Sequence, residues 1–404
     1  MYGPDDAIDN LRERIHDSDD IADDDAECLA EFVQQLDLRS AEYSTARKKK
    51  LLNHLVIIAE TQGGLADALD SRDVAEEIVA WINRSYDNEE TNRDYRVAVR
   101  VFGRHVTEGD DVPETLEWIP SGTSSTYDPT PDPTKMLRWE DDIQPMLEAA
   151  MNPRDRAAVA LQFDAGLRGG EYKDLAVGDI SDNTHGLQVT VEGKMGRRTV
   201  TLIPSVPYVE QWLAEHPGDG DPEAPLWCHL DEPEETSQVY KIRMLKQVAR
   251  RAGVNKPATP TNFRKSSAAH LASKGLNQAH LEDHHGWVRG SKVASRYVSV
   301  FADEADRELA RVYGAEVPES DTDEIAPITC PRCDKDTPRE KPLCVWCGQA
   351  LEPGAAEQAE RIEEIVLEEA AKADPADAQE FIELRQRISD DPRALAAAID
   401  RLGD

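Results

Sequence analysis

Ala165-Gly166-Leu167-Arg168-Gly169-Gly170-Glu171 stops one helix and opens the next. Upstream, Asp155, Arg156, Ala157, Ala158, Val159, Ala160 and Leu161 suit a buried helix over 153–165, and Gly166 offers the left-handed backbone that ends it. Arg168 then starts the following segment. A guanidinium at a helix N-terminus is electrostatically poor for the helix. It is expected either to face an anion, which the same helix end would attract, or to pair with Glu171.

Outward from this stretch, 187–192 alternates Leu-Gln-Val-Thr-Val-Glu, the period of a strand. Gly193-Lys194-Met195-Gly196 is a turn and 197–203 the return strand, giving a β-hairpin with Lys194 at its tip. Further helices are expected at 139–150, 206–215, 238–252, 262–274, 277–284 and 290–313. Arg264 lies early in one of them, in Pro260-Thr261-Asn262-Phe263-Arg264. His284-His285-Gly286-Trp287 follows, and then Tyr297 within Ala294-Ser295-Arg296-Tyr297-Val298. Taken singly, each has a bland reading: Arg168 in a salt bridge, Lys194 in solvent, Tyr297 in packing.

The set is more specific than its members. Arg168, Lys194, Arg264, Trp287 and Tyr297, in that order and context, resemble the catalytic domain of the tyrosine recombinase (phage integrase) family over roughly residues 135–305. The family's GLR box is similar to Gly166-Leu167-Arg168 with Glu171 and Leu175. Its hairpin lysine corresponds to Gly193-Lys194, followed by Arg198, Val200 and Leu202. Its second arginine box is Thr261-Asn262-Phe263-Arg264, its GH/W box Gly286-Trp287, and its nucleophile Tyr297. The resemblance implies a reaction in which two arginines hold the scissile phosphate through charge-assisted bonds. Tyr297 would attack phosphorus to give a 3′-phosphotyrosine, and Lys194 would be the general acid for the 5′-hydroxyl. Trp287 would buttress the site, and Glu171 would orient Arg168. No ATP and no catalytic metal are implied. One departure stands out: the family's H-x-x-R histidine is Thr261 here, and a threonine has no useful pKa near 7. His284 or His285 could compensate, or could be ordinary helix-end residues.

Residues 1–118 read as all-helical, with Leu51, Leu52, Leu55, Val56 and Ile58 at helical spacing before Gly63 and Gly64. Arg47-Lys48-Lys49-Lys50 is a dense basic run, either a solvated helix start or a phosphate contact. By position and composition this region resembles the family's core-binding (SAM-like) domain, which clamps DNA with the catalytic domain. Residues 119–134, rich in Pro, Ser and Thr, are read as a linker, and 135–313 as the catalytic domain. An acidic linker, 314–329, overlaps the start of a cysteine module over 326–352. There Cys330-x-x-Cys333 and Cys344-x-x-Cys347 match a zinc ribbon with a closed, structural four-thiolate site. The ribbon's role is open between DNA contact, protein contact and fold staple. Residues 353–404 read as an acidic helical extension. The fold class expected is mainly α with a small antiparallel sheet.

With 80 Asp and Glu against 46 Lys and Arg, the formal net charge is −34. That would argue against a nucleic-acid partner, unless the chain works in molar salt, where the Debye length is ~3 Å and only contact pairs survive. Acids spread over whole helices, with few lysines, favour the salt-adapted reading and a halophilic, archaeal host. No run of about 18 apolar residues is present, so no membrane span is expected. The acidic N-terminus lacks the apolar core of a signal peptide, and the scattered thiols suit a reducing cytoplasm. The expected partners are double-stranded DNA and further copies of the chain, as a tetramer on paired sites. The alternatives are a DNA-binding protein of the same fold that has lost cleavage, and a zinc-ribbon regulator or adaptor.

Overall fold

The computed structural model describes residues 4–107, 111–193, 196–301, 313, 324–372 and individual residues between 379 and 395. Lys194 lies outside the described residues, as does most of 302–323. The chain divides into two compact units, Met1–Pro129 and Thr130–Asp404.

The first unit is helical: α1 (Pro4–Asp17), α2 (Asp23–Leu38), α3 (Thr45–Thr61), the short α4 (Asp67–Asp70), α5 (Arg72–Ser85), α6 (Glu89–Val106) and α7 (Glu114–Glu117). Its helices start where side chains can cap them. Ser44, Ser71 and Asn88 each accept a backbone N–H from the first turn of α3, α5 and α6. Gly63 and Gly64 follow α3 at positive φ. The core joins Leu29, Phe32, Leu36, Leu51, Leu55, Ile78, Ile82 and Phe102. In the basic run, Lys48 lies 3.6 Å from Asp37, and Lys50 pairs with Asp94.

The division falls inside the stretch read as a linker, but that stretch is not slack. Ile119 is buried in the first core, and Arg96 donates to the carbonyls of Pro120 and Gly122 at 2.7 and 3.0 Å. Periodicity could not reveal this, because the anchors are backbone oxygens.

The second unit begins with one wide turn of π-helix, Trp139–Ile143, leading into α8 (Gln144–Ala149). Then come α9 (Pro153–Ala165), α10 (Gly169–Lys173), β1 (Ile180–Asn183), β2 (Gly186–Gly193) and β3 (Gly196–Leu202). Helices α11 (Val206–Glu215), α12 (Gln238–Arg251), α13 (Pro260–Ser273), α14 (Gln278–His285) and α15 (Lys292–Phe301) follow. The expected hairpin is present with Val189 opposite Val200, and β1 adds a strand the sequence reading missed. Strand β1 is short and mostly exposed, so it carries no apolar alternation to betray it. Helix α9 is buried nearly all round, capped by Asn152 and stopped by Gly166. Asp164 Oδ2 accepts from Ile203 N, Ser205 N and Ser205 Oγ, fixing the last turn of α9 to the exit of β3. Helix α15 ends within the described residues at Phe301; the remainder of the stretch expected to be helical to residue 313 is outside them, apart from residue 313 itself.

Residues 328–329, read as the end of a linker, form β4 (Ile328–Thr329), paired with β5 (Asp336–Thr337). Helix α16 (Ala355–Lys372) follows. Among the described residues no helix is long and apolar enough to cross a membrane.

Candidate active site

The end of α14 organises the site. A helix leaves its last carbonyls without intrahelical partners, and they carry the negative end of the helix dipole. Here three consecutive carbonyls each accept from a different arginine. His284 O takes Arg198 Nε at 3.4 Å, His285 O takes Arg264 Nη2 at 2.5 Å, and Gly286 O takes Arg168 Nη2 at 2.5 Å. Gly286 has a φ of 59°, and a Cβ there would lie 2.8 Å from Arg198 Cδ, so both conformation and crowding require glycine. Gly166 is constrained alike: φ is 55°, and a Cβ would meet His285 Nε2 and Ser267 Oγ at 2.8 Å. Its carbonyl accepts Arg264 Nη1 at 2.9 Å.

Glu171 binds the arginines together. Its Oε1 accepts from Arg168 Nη1 at 2.7 Å and Arg198 Nη1 at 2.6 Å, and its Oε2 from Arg198 Nη2 at 2.9 Å and Arg168 N at 2.8 Å. Of the two readings of Arg168 the pairing with Glu171 is present, and the cluster around it carries an excess of positive charge. Burial would raise the Glu171 carboxyl, but the hydrogen bonds from Arg198 and Arg168 outweigh it and hold the group at about 2. Burial, and then repulsion from Arg168 and Arg198, bring Arg264 down to about 9. A cation so disfavoured by its neighbours is what an arriving phosphate would relieve.

Tyr297 is buried on α15 and stacks on Trp287, with ring centroids 5.6 Å apart and planes at 14°. Trp287 stacks in turn on His285 at 4.7 Å, and the Arg264 guanidinium lies 5.2 Å from the Trp287 ring centroid. Burial pushes the Tyr297 hydroxyl up to about 12, with Arg264 pulling the other way. At neutral pH the phenol keeps its proton.

The structure thus brings together Arg168, Arg264, Trp287 and Tyr297. Thr261 is exposed in the first turn of α13. Neither nearby histidine offers a clear substitute. His285 Nδ1 meets Leu281 O at 3.1 Å and its Nε2 meets Ser267 Oγ at 3.3 Å, while His284 Nε2 meets Asp164 O at 3.0 Å. Burial holds His284 down to about 4 and His285 well below its ordinary range, so both are neutral packing groups near pH 7. Sequence reasoning quoted Arg198 but gave it no role. The signal was its parity with Val200 and Leu202, which puts a charge on the inward face of β3.

The cysteines form a second centre. The sulfurs of Cys330, Cys333, Cys344 and Cys347 lie within 4.8 Å of one another, with Cys330–Cys347 and Cys333–Cys344 at 3.7 Å. Four thiolates ~2.3 Å from one tetrahedral ion sit ~3.8 Å apart, so the spacing fits a single zinc-sized metal. The two knuckles match: Asp334 and Gly348, each just after the second cysteine, have φ of 58° and 71°. Their N–H groups return to Cys330 O and Cys344 O, both at 2.9 Å. Arg332 N and Trp346 N point at Cys330 and Cys344 sulfur at 3.4 Å. The module is docked on both sides. Tyr208 of α11 donates to Glu340 at 2.6 Å, and Leu343 packs with Ala355, Ile362 and Val366 of α16. Two of its basic residues have partners within the protein, Arg339 with Glu324 at 3.1 Å and Lys335 over the Trp346 ring at 3.8 Å.

Comparison with known proteins agrees with this geometry. Residues 139–304 match the model of the phage integrase family. The chain is 29% identical over 161 residues to the tyrosine recombinase slr0733 of Synechocystis sp., covering 38% of this chain and 50% of that protein. It is 28% identical over 150 residues to the tyrosine recombinase XerD of Pseudomonas putida, covering 34% and 49%. The chain spans about half the length of these curated relatives. Among solved structures, the Tn1549 transposon integrase in complex with transposon right-end DNA aligns with a TM-score of 0.54 at 14% identity, over 71% of this chain and 99% of that one. The lambda integrase tetramer bound to a Holliday junction aligns at 0.51 and 13%, over 66% and 76%. At such identities these two speak for the fold. Over residues 139–304 the chain is similar to the phage integrase family, in sequence to two curated tyrosine recombinases and in fold to solved integrases.

Proposed function

We propose that this protein is a site-specific DNA recombinase that cuts and rejoins strands through a 3′-phosphotyrosine at Tyr297. The observation that carries the reading is the gathering of Arg168 and Arg264 on adjacent carbonyls at the end of α14, with Tyr297 stacked on the tryptophan beside Arg264. Each arginine spends some of its five donors on protein and keeps others for the non-bridging oxygens of a phosphate. Fixed in place, the two stabilise the charge that builds as phosphorus becomes pentavalent. Tyr297 Oη forms the new bond to phosphorus while the 5′-oxygen leaves and takes a proton, which Lys194 supplies in this reading. The phosphotyrosine keeps the bond energy for rejoining, so neither ATP nor a catalytic metal enters. Residues 1–118 serve as a helical DNA clamp, and the working assembly is a tetramer on paired sites.

The four cysteines hold a structural zinc that fixes the ribbon between α11 and α16. Its contacts with α11 and α16 favour a staple over a DNA reader. The acidic surface fits a cytoplasm at molar salt, where phosphate contact depends on short-range pairs.

One observation favours a second reading, a DNA-binding protein that no longer cleaves: Thr261 stands where the family has histidine, and His284 and His285 are occupied elsewhere. Covalent trapping decides between them. Nicked duplexes tiled from the DNA flanking the gene, incubated in molar KCl, should give a protease-sensitive adduct with wild type and none with Tyr297→Phe. Specific binding without an adduct on any tile would select the second reading. Zinc near one per chain, lost in Cys344→Ser, tests the ribbon; a metal-free folded ribbon would overturn it.

A further inference from the structure

Among the described residues, Arg198 contacts the site differently from its two neighbours. Both its Nη atoms are committed to Glu171, at 2.6 and 2.9 Å, and its Nε faces His284 O at 3.4 Å. Its side chain is 13% exposed against 30% for Arg168, so Arg198 faces the protein and Arg168 is the more open to a ligand. It sits on β3, opposite Val191 on β2. Its aliphatic stem packs where Gly286 has no side chain.

Charge explains why such a residue is needed. Glu171 fixes Arg168 through both its side chain and its backbone N–H, but a carboxylate beside a phosphate-binding arginine also cancels that arginine's charge. Glu171 stays ionised at any working pH, since its carboxyl is held at about 2. Three guanidiniums and one carboxylate leave two positive charges in the cluster; without Arg198 one would remain.

We propose that Arg198 is a positioning residue of the strand-cleavage site: it neutralises Glu171, so that Glu171 orients Arg168 without cancelling its charge at the scissile phosphate. The proposal rests on the recombinase reading. It assigns Arg198 no contact with DNA.

The test measures adduct formation by the full-length chain on nicked duplexes in molar KCl, with either an ordinary or a neutral methylphosphonate linkage at the cleavage point. Arg198→Met should slow adduct formation ~100-fold on the phosphate while DNA affinity stays within a few-fold, and the loss should shrink to ~10-fold or less on the methylphosphonate, which needs less positive charge. Adding Glu171→Gln to Arg198→Met should recover ~10-fold on the phosphate, since the carboxylate that needed neutralising is gone. Equal losses on both linkages, with no recovery in the double variant, would mean a merely structural arginine and overturn the proposal. So would a wild-type rate in Arg198→Met. If Arg198→Met does not fold, Arg198→Lys carries the test: it keeps the charge but not the fork, and should stay within ~10-fold of wild type on both linkages. A loss in that variant as large as in Arg168→Ala overturns the proposal. Absence of an adduct with wild type on either linkage is a different result, seen before any variant is made, and overturns the recombinase reading itself.

Discussion

The two units fill their cores on different terms. In the first, Leu29, Phe32, Leu51, Leu55, Ile78 and Phe102 meet one another, and among the described residues only Asp25 and Arg96 are buried with charge. In the second, Arg154, Asp155, Glu171, Lys241, Glu282 and His285 are all buried, beside a core just as apolar around Val159, Leu161, Trp212 and Trp227. Burying a charge is costly unless it is paired. The second unit's charged groups are paired: Arg154 with Asp155 at 2.8 Å, Glu171 with two arginines. A fold that needed only stability could use the first pattern throughout. Glu171 and His285 lie where the arginines and Tyr297 meet, whereas Arg154 and Asp155 pair at the start of α9.

The contrast can be broken in three ways. The largest effect is expected at the site. Arg264→Ala should lower the rate of covalent adduct formation by ~10²–10³, the usual consequence of removing one fixed donor to a developing oxyanion. Gel quantification under single-turnover conditions checks it, and a loss under tenfold would mean Arg264 is mainly a structural partner of Gly166 and His285. Next is the apolar core of the first unit. Leu55→Ala should cost ~2–5 kcal/mol, because Leu55 is fully buried and the cavity cannot close entirely. Denaturant melting in molar KCl measures it; a cost under 1 kcal/mol would show that this core is looser than its packing implies.

The most diagnostic effect is in acid. His270 and His284 are held to about 4 and His285 well below its usual range, all chiefly by burial; in the first unit His54 is held to about 4. A histidine depressed in the folded state binds its proton more readily when unfolded. Stability is therefore full above about 6.5, the ordinary histidine value. It falls as pH drops toward 4, by roughly 1.4 kcal/mol per pH unit for each proton taken up on unfolding. Hydrogen exchange on the whole chain, corrected for intrinsic rates, should show α13 and α14 losing protection between pH 7 and 5 sooner than α2 and α3. Equal loss in both units would remove the distinction.

The two units also differed in how they could be read. In the first unit the apolar spacing of Leu51, Leu52, Leu55, Val56 and Ile58, with Gly63 and Gly64 after it, was enough to locate α3. The second unit's apolar pattern is weak in α9 and α13, which are buried on nearly all sides, so there order and motif carried the reading instead. Strand β1 and the anchoring of 119–124 escaped, since neither leaves an apolar period.

Sequence alone determined the order of Arg168, Lys194, Arg264, Trp287 and Tyr297, the hairpin, and the paired knuckles of the cysteine module. These are encoded locally, in residue type and spacing. Only the tertiary structure decided that Arg198, Arg264 and Arg168 would meet the carbonyls of residues 284, 285 and 286, across 86, 21 and 118 positions of chain. A backbone carbonyl has no side chain to announce it. Which arginine it receives depends on where the end of a distant helix comes to rest.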